Sequence, residues 1–204
     1  MSLEKDIGAV VLAGGKGERF QGQKQYCKLN GKPLWKHVYD KVYAVIQSDN
    51  IVVVGIDIPG GETRTESVIK GLNRLSSNTS RVIIAEAARP LVTKRQIEEL
   101  INDDAPSTSF VMPLVNTVIK RDGTYINREE MYELLTPQAF DYQLISRALN
   151  SGQFKNMTDE TRVMLEFHGI KPHLIETTEN LFKVTYKRDL PIIESLMEIF
   201  NIEE

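Results

Sequence analysis

The chain has 204 residues and a net charge of −3, with 41% apolar, 26% charged and 7% aromatic side chains. This is the balance of a globular fold long enough to bury its own core without staples. A single cysteine, Cys27, excludes an internal disulfide and a cysteine-built zinc cage, and it suits a reducing, cytoplasmic compartment. No apolar run is long enough to span a bilayer, and the charged start of the chain lacks a secretory pattern. The slight acidity argues against a phosphate-backbone surface, so neither membrane nor nucleic acid is expected as a partner. Charge is uneven, however: residues 1–36 hold seven basic and three acidic side chains, which points to a local anion site.

In chain order, the apolar run Ile7 to Leu12 ends at Gly14-Gly15 and reads as the buried first strand of a parallel sheet. From Pro33 the spacing of Leu34, Trp35, Val38, Val42, Val45 and Ile46 is helical, and Ile51 to Val54 is a second buried strand, completing a βαβ unit. The alternation continues with a helix over Glu66–Leu75, a strand over Val82–Ala85, a helix over Thr93–Ile101 with Thr93 as N-cap, and a strand over Ser109–Leu114. Thr117-Val118-Ile119, Asp122-Gly123 and Tyr125-Ile126 then predict a β-hairpin, an arm at about 115–130 of the kind that reaches another subunit. Helices follow over Asp141–Leu149 and Thr158–His168, the second closing at Gly169. Strands are expected over Pro172–Thr177 and Phe182–Thr185, and a last helix with Asp189 as N-cap and Pro191 in its first turn. No repeat or linker divides residues 1–204. The pattern therefore predicts one α/β domain, a three-layer, doubly wound, Rossmann-like, mostly parallel sheet with a protruding β-arm and ligands at the carboxyl ends of the strands.

The loop Ala13-Gly14-Gly15-Lys16-Gly17-Glu18-Arg19-Phe20 follows the first strand directly. Glycines admit an anion close to backbone amides, and Lys16 and Arg19 add charge, so the loop suits a triphosphate as well as a plain tight turn. It is not a P-loop, because Gly17 follows Lys16, and Phe20 occupies the place of the third glycine of the dinucleotide fingerprint. Lys24, in Lys24-Gln25-Tyr26, reads as a solvated loop lysine on its own. With Arg19 it offers fixed cations of the kind a nucleotidyl transfer requires, where an anionic nucleophile meets an anionic triphosphate.

These blocks, together with Gly60-Gly61-Glu62-Thr63-Arg64-Thr65-Glu66-Ser67-Val68, Ala87-Ala88-Arg89-Pro90, Thr136-Pro137-Gln138-Ala139-Phe140, Thr158-Asp159-Glu160 and Lys183-Val184-Thr185, resemble in order and spacing the sugar-alcohol-phosphate cytidylyltransferases. The resemblance implies an enzyme that joins CTP to a sugar-alcohol phosphate with release of pyrophosphate. By it, Arg19, Lys24 and Lys183 are the catalytic cations, and Ala13, Gly14, Gly15, Lys16, Gly17, Gly61, Glu62 and Ser67 hold the nucleotide, the last three at the base. Arg89, Thr117, Arg128 and Thr136 match the residues that grip the acceptor phosphate, the arm contributing across a homodimer interface.

The chain departs from the family pattern in three places. The family's His-Asp before Ala-Ala-Arg-Pro, whose aspartate binds Mg²⁺, reads Ala85-Glu86 here, so Glu86 is the expected metal ligand, one methylene longer. The Asp-Thr pair at the start of the arm is Asn116-Thr117, and a helix and strand between Val54 and Gly60 are absent. For the acceptor, Ala13-Gly14-Gly15 and Arg128 to Tyr132 look closer to ribitol-phosphate enzymes. The longer blocks at Gly60–Ser67 and Ala87–Pro90 favour methylerythritol phosphate. A nucleotide-binding homologue without catalysis is the remaining alternative, and the retained cations argue against it. His37, His168 and His173 lack paired ligand spacing and are read as packed or surface residues.

Overall fold

The computed structural model describes residues 6–178 and 181–200. The chain runs β1 (Ile7–Leu12), a 3₁₀ turn (Lys24–Tyr26), the short strands β2 (Lys28–Leu29) and β3 (Lys32–Pro33), α1 (Leu34–Ile46), β4 (Ile51–Val54), α2 (Arg64–Leu72), β5 (Arg81–Glu86), α3 (Lys94–Asn102) and β6 (Ser107–Pro113). There follow β7 (Val118–Ile119), β8 (Tyr125–Ile126), a 3₁₀ turn (Arg128–Glu130), β9 (Tyr132–Asp141), α4 (Tyr142–Asn150), α5 (Glu160–His168), β10 (His173–Glu176) and α6 (Asp189–Phe200).

Six strands form one sheet in the order β10-β6-β9-β5-β1-β4. All neighbours pair in parallel except β9, which runs antiparallel between β5 and β6. β1 and β4 are buried along nearly their whole length, as strands covered on both faces must be. One face packs Ala9, Val11, Val53, Ile83 and Phe110 under α1 and α3, the other packs Val10, Val52, Ile84 and Phe140 under α2, α4 and α5. A third cluster joins Phe20, Leu29, Leu34, Leu91 and Val184 to Ile193 and Met197 of α6. Phe20, the residue that spoils the dinucleotide fingerprint, is thus a core anchor that fastens the glycine loop to the C-terminal part of the chain.

Most expected elements are present, several shifted by a residue or two. Thr93 caps α3 with a reciprocal box to Gln96, and Gly169 ends α5 in a left-handed conformation. Pro33 precedes the helix instead of opening it, and α2 begins two residues early because Thr63 accepts the amide of Glu66 at 3.1 Å. The hairpin forms as β7 paired with β8, Gly123 supplying a positive φ of 89° at the turn. Between 115 and 133 every residue but Val118 and Ile126 is exposed, so the ribbon stands away from the sheet.

Three expectations are corrected. The central strand β9 lies where no strand was expected. Pro137 sits where the register against β6 shifts between Ser109 and Phe110, and a proline in mid-strand hides the pattern. Residues 182–185 form no strand. They run as a strap over the end of β5, whose backbone groups are met one by one: the Val184 amide donates to Ala88 O at 2.8 Å, and Val184 O accepts from Lys24 Nζ at 3.1 Å. Asp189 is the first residue of α6 and does not act as its N-cap. Its carboxylate turns back to accept the amides of Thr185 and Tyr186, each at 2.8 Å.

Candidate active site

The carboxyl ends of β1 and β5 open into a cleft of about 330 Å³. Its walls are the glycine loop (Gly14, Gly15, Lys16, Glu18), the start of α2 (Gly61 to Arg64, Ser67), Glu86 and Ala88 after β5, and the two lysines Lys24 and Lys183.

The loops take this shape for steric reasons. Gly14 and Gly60 approach backbone to backbone, a Cβ on Gly14 lying 3.2 Å from Gly60 Cα, and a Cβ on Gly55, at a φ of +100°, would meet Gly14 N at 2.5 Å. A Cβ on Gly17 would meet Gly22 O at 2.0 Å, and one on Gly61 would meet Glu66 Cβ at 2.5 Å. Ser67 Oγ accepts from the Gly61 amide at 2.9 Å and donates to Thr63 O at 3.0 Å, so what it has left to offer the cleft is a lone pair. The Glu62 amide is taken by Glu66 Oε2 at 2.8 Å.

The cations divide between two openings. Lys24 and Lys183 face the cleft, while Arg19 lines an adjoining hollow with Gly17, Phe20 and Thr185. Lys16 and Glu18 line both, so the openings share one wall. Arg19, expected with Lys24 and Lys183 as a catalytic cation, therefore lines the neighbouring hollow and not the cleft itself. The turn closed by Gly22 N to Gly17 O (3.3 Å) and Gln21 N to Glu18 O (3.2 Å) buries Phe20 and carries Arg19 round the corner. Arg19 still acts on Lys24: burial, with the Lys183 ammonium and the Arg19 guanidinium, holds the Lys24 pKa below its ordinary value against the pull of Glu86. Lys24 is half-buried, not the solvated loop lysine expected.

Glu86 is the anion at the centre. Its Oε2 pairs with Lys183 Nζ and its Oε1 with Arg64 Nε at 3.4 Å. Burial would raise its pKa, but Lys183 and Arg64 hold it below the usual carboxylate value. Arg64 also grips Glu160, whose side chain is fully buried. Both oxygens of Glu86 thus carry a cation, and among the described residues no three histidine, cysteine or acidic side chains gather as a metal cage. Glu86 is the counter-ion of Lys183 and Arg64 and, as a carboxylate on the cleft wall, would hold Mg²⁺ together with the phosphates of a bound triphosphate, a donor set that ion commonly takes.

The acceptor-side residues fall into two places. Arg89 and Thr136 are buried together, Arg89 Nε donating to Thr136 Oγ1 at 3.0 Å and Nη1 to Leu181 O. Thr117 and Arg128 lie on the exposed arm, where Arg128 Nη1 donates to Val115 O across its base. Within one chain these pairs do not meet at the cleft. Arg64, Glu160 and Gly55 were given no role by sequence reasoning. Arg64 and Glu160 stand inside motif blocks already singled out, and Gly55 directly follows a buried strand. The three histidine rings have hydrogen-bond partners in Leu29 O (2.9 Å), Leu144 O (3.0 Å) and Asp103 Oδ2 (2.6 Å). Among the described residues no helix is long and apolar enough to cross a membrane.

A glycine loop and two lysines on one cleft at the carboxyl ends of a mostly parallel sheet fit the class of α/β nucleotidyltransferases. Residues 7–199 match the family model described as 2-C-methyl-D-erythritol 4-phosphate cytidylyltransferase, and the chain belongs to that family. A relative of that name from Haemophilus influenzae is 30% identical over 218 positions, covering 94% of this chain and 96% of its own. Another, from Thermotoga neapolitana, is 33% identical over 211 positions, covering 90% and 93%. The bifunctional IspDF of Campylobacter jejuni superposes with a TM-score of 0.80 at 27% identity over 92% of this chain and 54% of that one. The Anaerococcus prevotii 4-diphosphocytidyl-2C-methyl-D-erythritol synthase shares the fold, with a TM-score of 0.79 at 22% identity over 95% and 96%.

Proposed function

We propose that this chain transfers CMP from CTP to the phosphate of 2-C-methyl-D-erythritol 4-phosphate. An acceptor phosphate oxygen attacks the α-phosphorus, the bond from that phosphorus to the bridging oxygen breaks, and the electron pair leaves with pyrophosphate. No covalent enzyme intermediate is needed. The observation that carries the reading is the meeting of Lys24 and Lys183, 159 positions apart in sequence, on one cleft opposite a glycine loop. Fixed cations there cancel the repulsion of two anions and stabilise the charge that builds at the α-phosphate.

Each part of the cleft has a task in this reading. Backbone groups of residues 13–17 cradle the triphosphate, with Arg19 placed in the adjoining hollow for the departing pyrophosphate. The free lone pair of Ser67 suits the exocyclic amine of cytosine, a donor, and offers nothing to the carbonyl that uracil presents instead. Magnesium, when bound, would be held by Glu86 and would neutralise charge on the triphosphate. Thr117 and Arg128 are assigned to the acceptor site of a second copy, the exposed arm making a homodimer, because within one chain they stand off the cleft. The reading is tested by measuring pyrophosphate release with CTP and, in parallel, 2-C-methyl-D-erythritol 4-phosphate or ribitol 5-phosphate. Turnover with the first acceptor is expected; turnover with ribitol 5-phosphate alone, or with neither, overturns it.

A further inference from the structure

Glu160 is the one fully buried carboxylate among the buried acidic side chains, and local structure does not account for it. It opens α5, but that helix is already capped by Asp159, which accepts the Thr161 amide at 2.9 Å. One Glu160 oxygen grips Arg64 Nη1; the other has no hydrogen-bond partner among the described residues. Burying a carboxylate this completely is costly, and burial raises its pKa by more than Arg64 lowers it. Nor is it needed to join α2 to the loop before α5. Thr65 Oγ1 already does so, donating to Met157 O at 3.1 Å and accepting the Met157 amide at 2.9 Å.

What Glu160 does reach is the cleft, through a row of side chains that alternate in sign: Glu160, Arg64, Glu86, Lys183. The two inner members each touch two groups of opposite charge. Were Arg64 wholly available to Glu86, that carboxylate would be satisfied without Lys183. By taking up part of the guanidinium, Glu160 leaves Glu86 enough negative charge to hold the lysine over the cleft.

We propose that Glu160, a residue buried away from the ligand, is a positioning residue that sets the catalytic Lys183 through Arg64 and Glu86. The inference rests on the reading of Lys183 as a cation of CMP transfer. Glu160→Gln keeps the shape and removes the charge, so Arg64 turns fully to Glu86 and Lys183 loses its hold.

The test is a double-mutant cycle on the full chain, with pyrophosphate release from CTP and 2-C-methyl-D-erythritol 4-phosphate as the readout. Glu160→Gln is expected to lower kcat about tenfold, with KM for CTP within about twofold of wild type, because Thr63 and Ser67 still shape the nucleotide wall. In a Lys183→Ala background the same substitution should cost less than about twofold, since the group it positions is gone. An unchanged kcat, or an equal loss in both backgrounds, overturns the proposal. Thermal melting checks folding. If Glu160→Gln does not fold, Glu160→Asp carries the same cycle, since it keeps the charge but withdraws it from Arg64 by one methylene. A wild-type protein inactive with this acceptor would refute the functional reading. An active one indifferent to Glu160→Gln refutes only this inference.

Discussion

Replacing Lys24 with alanine separates catalysis from stability, because the two effects have different origins. In the folded protein the ammonium donates to Val184 O at 3.1 Å, its one hydrogen bond among the described residues, and sits half-buried beside Lys183 and Arg19. Losing a charged hydrogen bond costs about 1.5–3 kcal/mol. Against this, the substitution relieves a desolvated cation of two like charges, which the lowered pKa of Lys24 registers. The two contributions oppose, so the net change in stability should stay within about 1 kcal/mol, or about 2–4 °C in Tm for a chain of this size. Catalysis has no such offset. Removing one fixed donor from a charge-stabilising cluster lowers kcat by about 10²–10³-fold. The assay is steady-state pyrophosphate release on a variant whose thermal melt is recorded in the same buffer. A Tm loss of 10 °C or more, or wild-type turnover, would refute the reasoning: the first would make Lys24 a structural tie to the strap, the second an idle surface charge.

Further predictions follow from particular contacts. Gly61→Ala places a Cβ 2.5 Å from Glu66 Cβ, so the wall must shift; KM for CTP should rise at least about tenfold while kcat changes less. Ser67→Ala removes the lone pair facing the cleft and should narrow the preference for CTP over UTP by about 1–3 kcal/mol, read from the ratio of their kcat/KM values. Lys41 on α1 is buried and donates to Pro90 O at 2.8 Å, and burial lowers its pKa to about 8 from 10.5. The folded chain therefore gives up this proton before the unfolded chain does, and stability gains from Lys41 as pH rises from about 8 to 10.5. By urea denaturation the wild type should gain up to about 3 kcal/mol on Lys41→Met across that window; parallel profiles would contradict this. Arg128→Glu on the arm should raise KM for the acceptor, leave KM for CTP near wild type, and shift a dimer toward monomer on size exclusion.

Where a signal was local, the sequence was sufficient to read it. β1 and β4 announced themselves as apolar runs, and Thr93 and Gly169 as helix ends, because each depends on neighbours a few residues away. β9 was hidden because Pro137 interrupts the pattern, and only pairing with β5 and β6 makes a strand of it. Residues 182–185 misled in the opposite sense: their composition suits a strand, but their hydrogen-bond partners are side chains and loop backbone. In the site, Gly14, Gly61, Lys24 and Lys183 were legible as motif members, and the structure sets them on one cleft. The displacement of Arg19 was not, since it follows from the burial of Phe20 in a cluster completed by α6. Nor was the engagement of Glu86 by two cations, which depends on side chains 22 positions before it and 97 after it.

The most direct test is a crystal structure of the protein with CTP bound. The α-phosphate is expected within hydrogen-bonding reach of both Lys24 Nζ and Lys183 Nζ, with cytosine against Gly61 and Ser67. A triphosphate seated elsewhere, or one that touches neither lysine, would contradict the assignment of this cleft to nucleotidyl transfer.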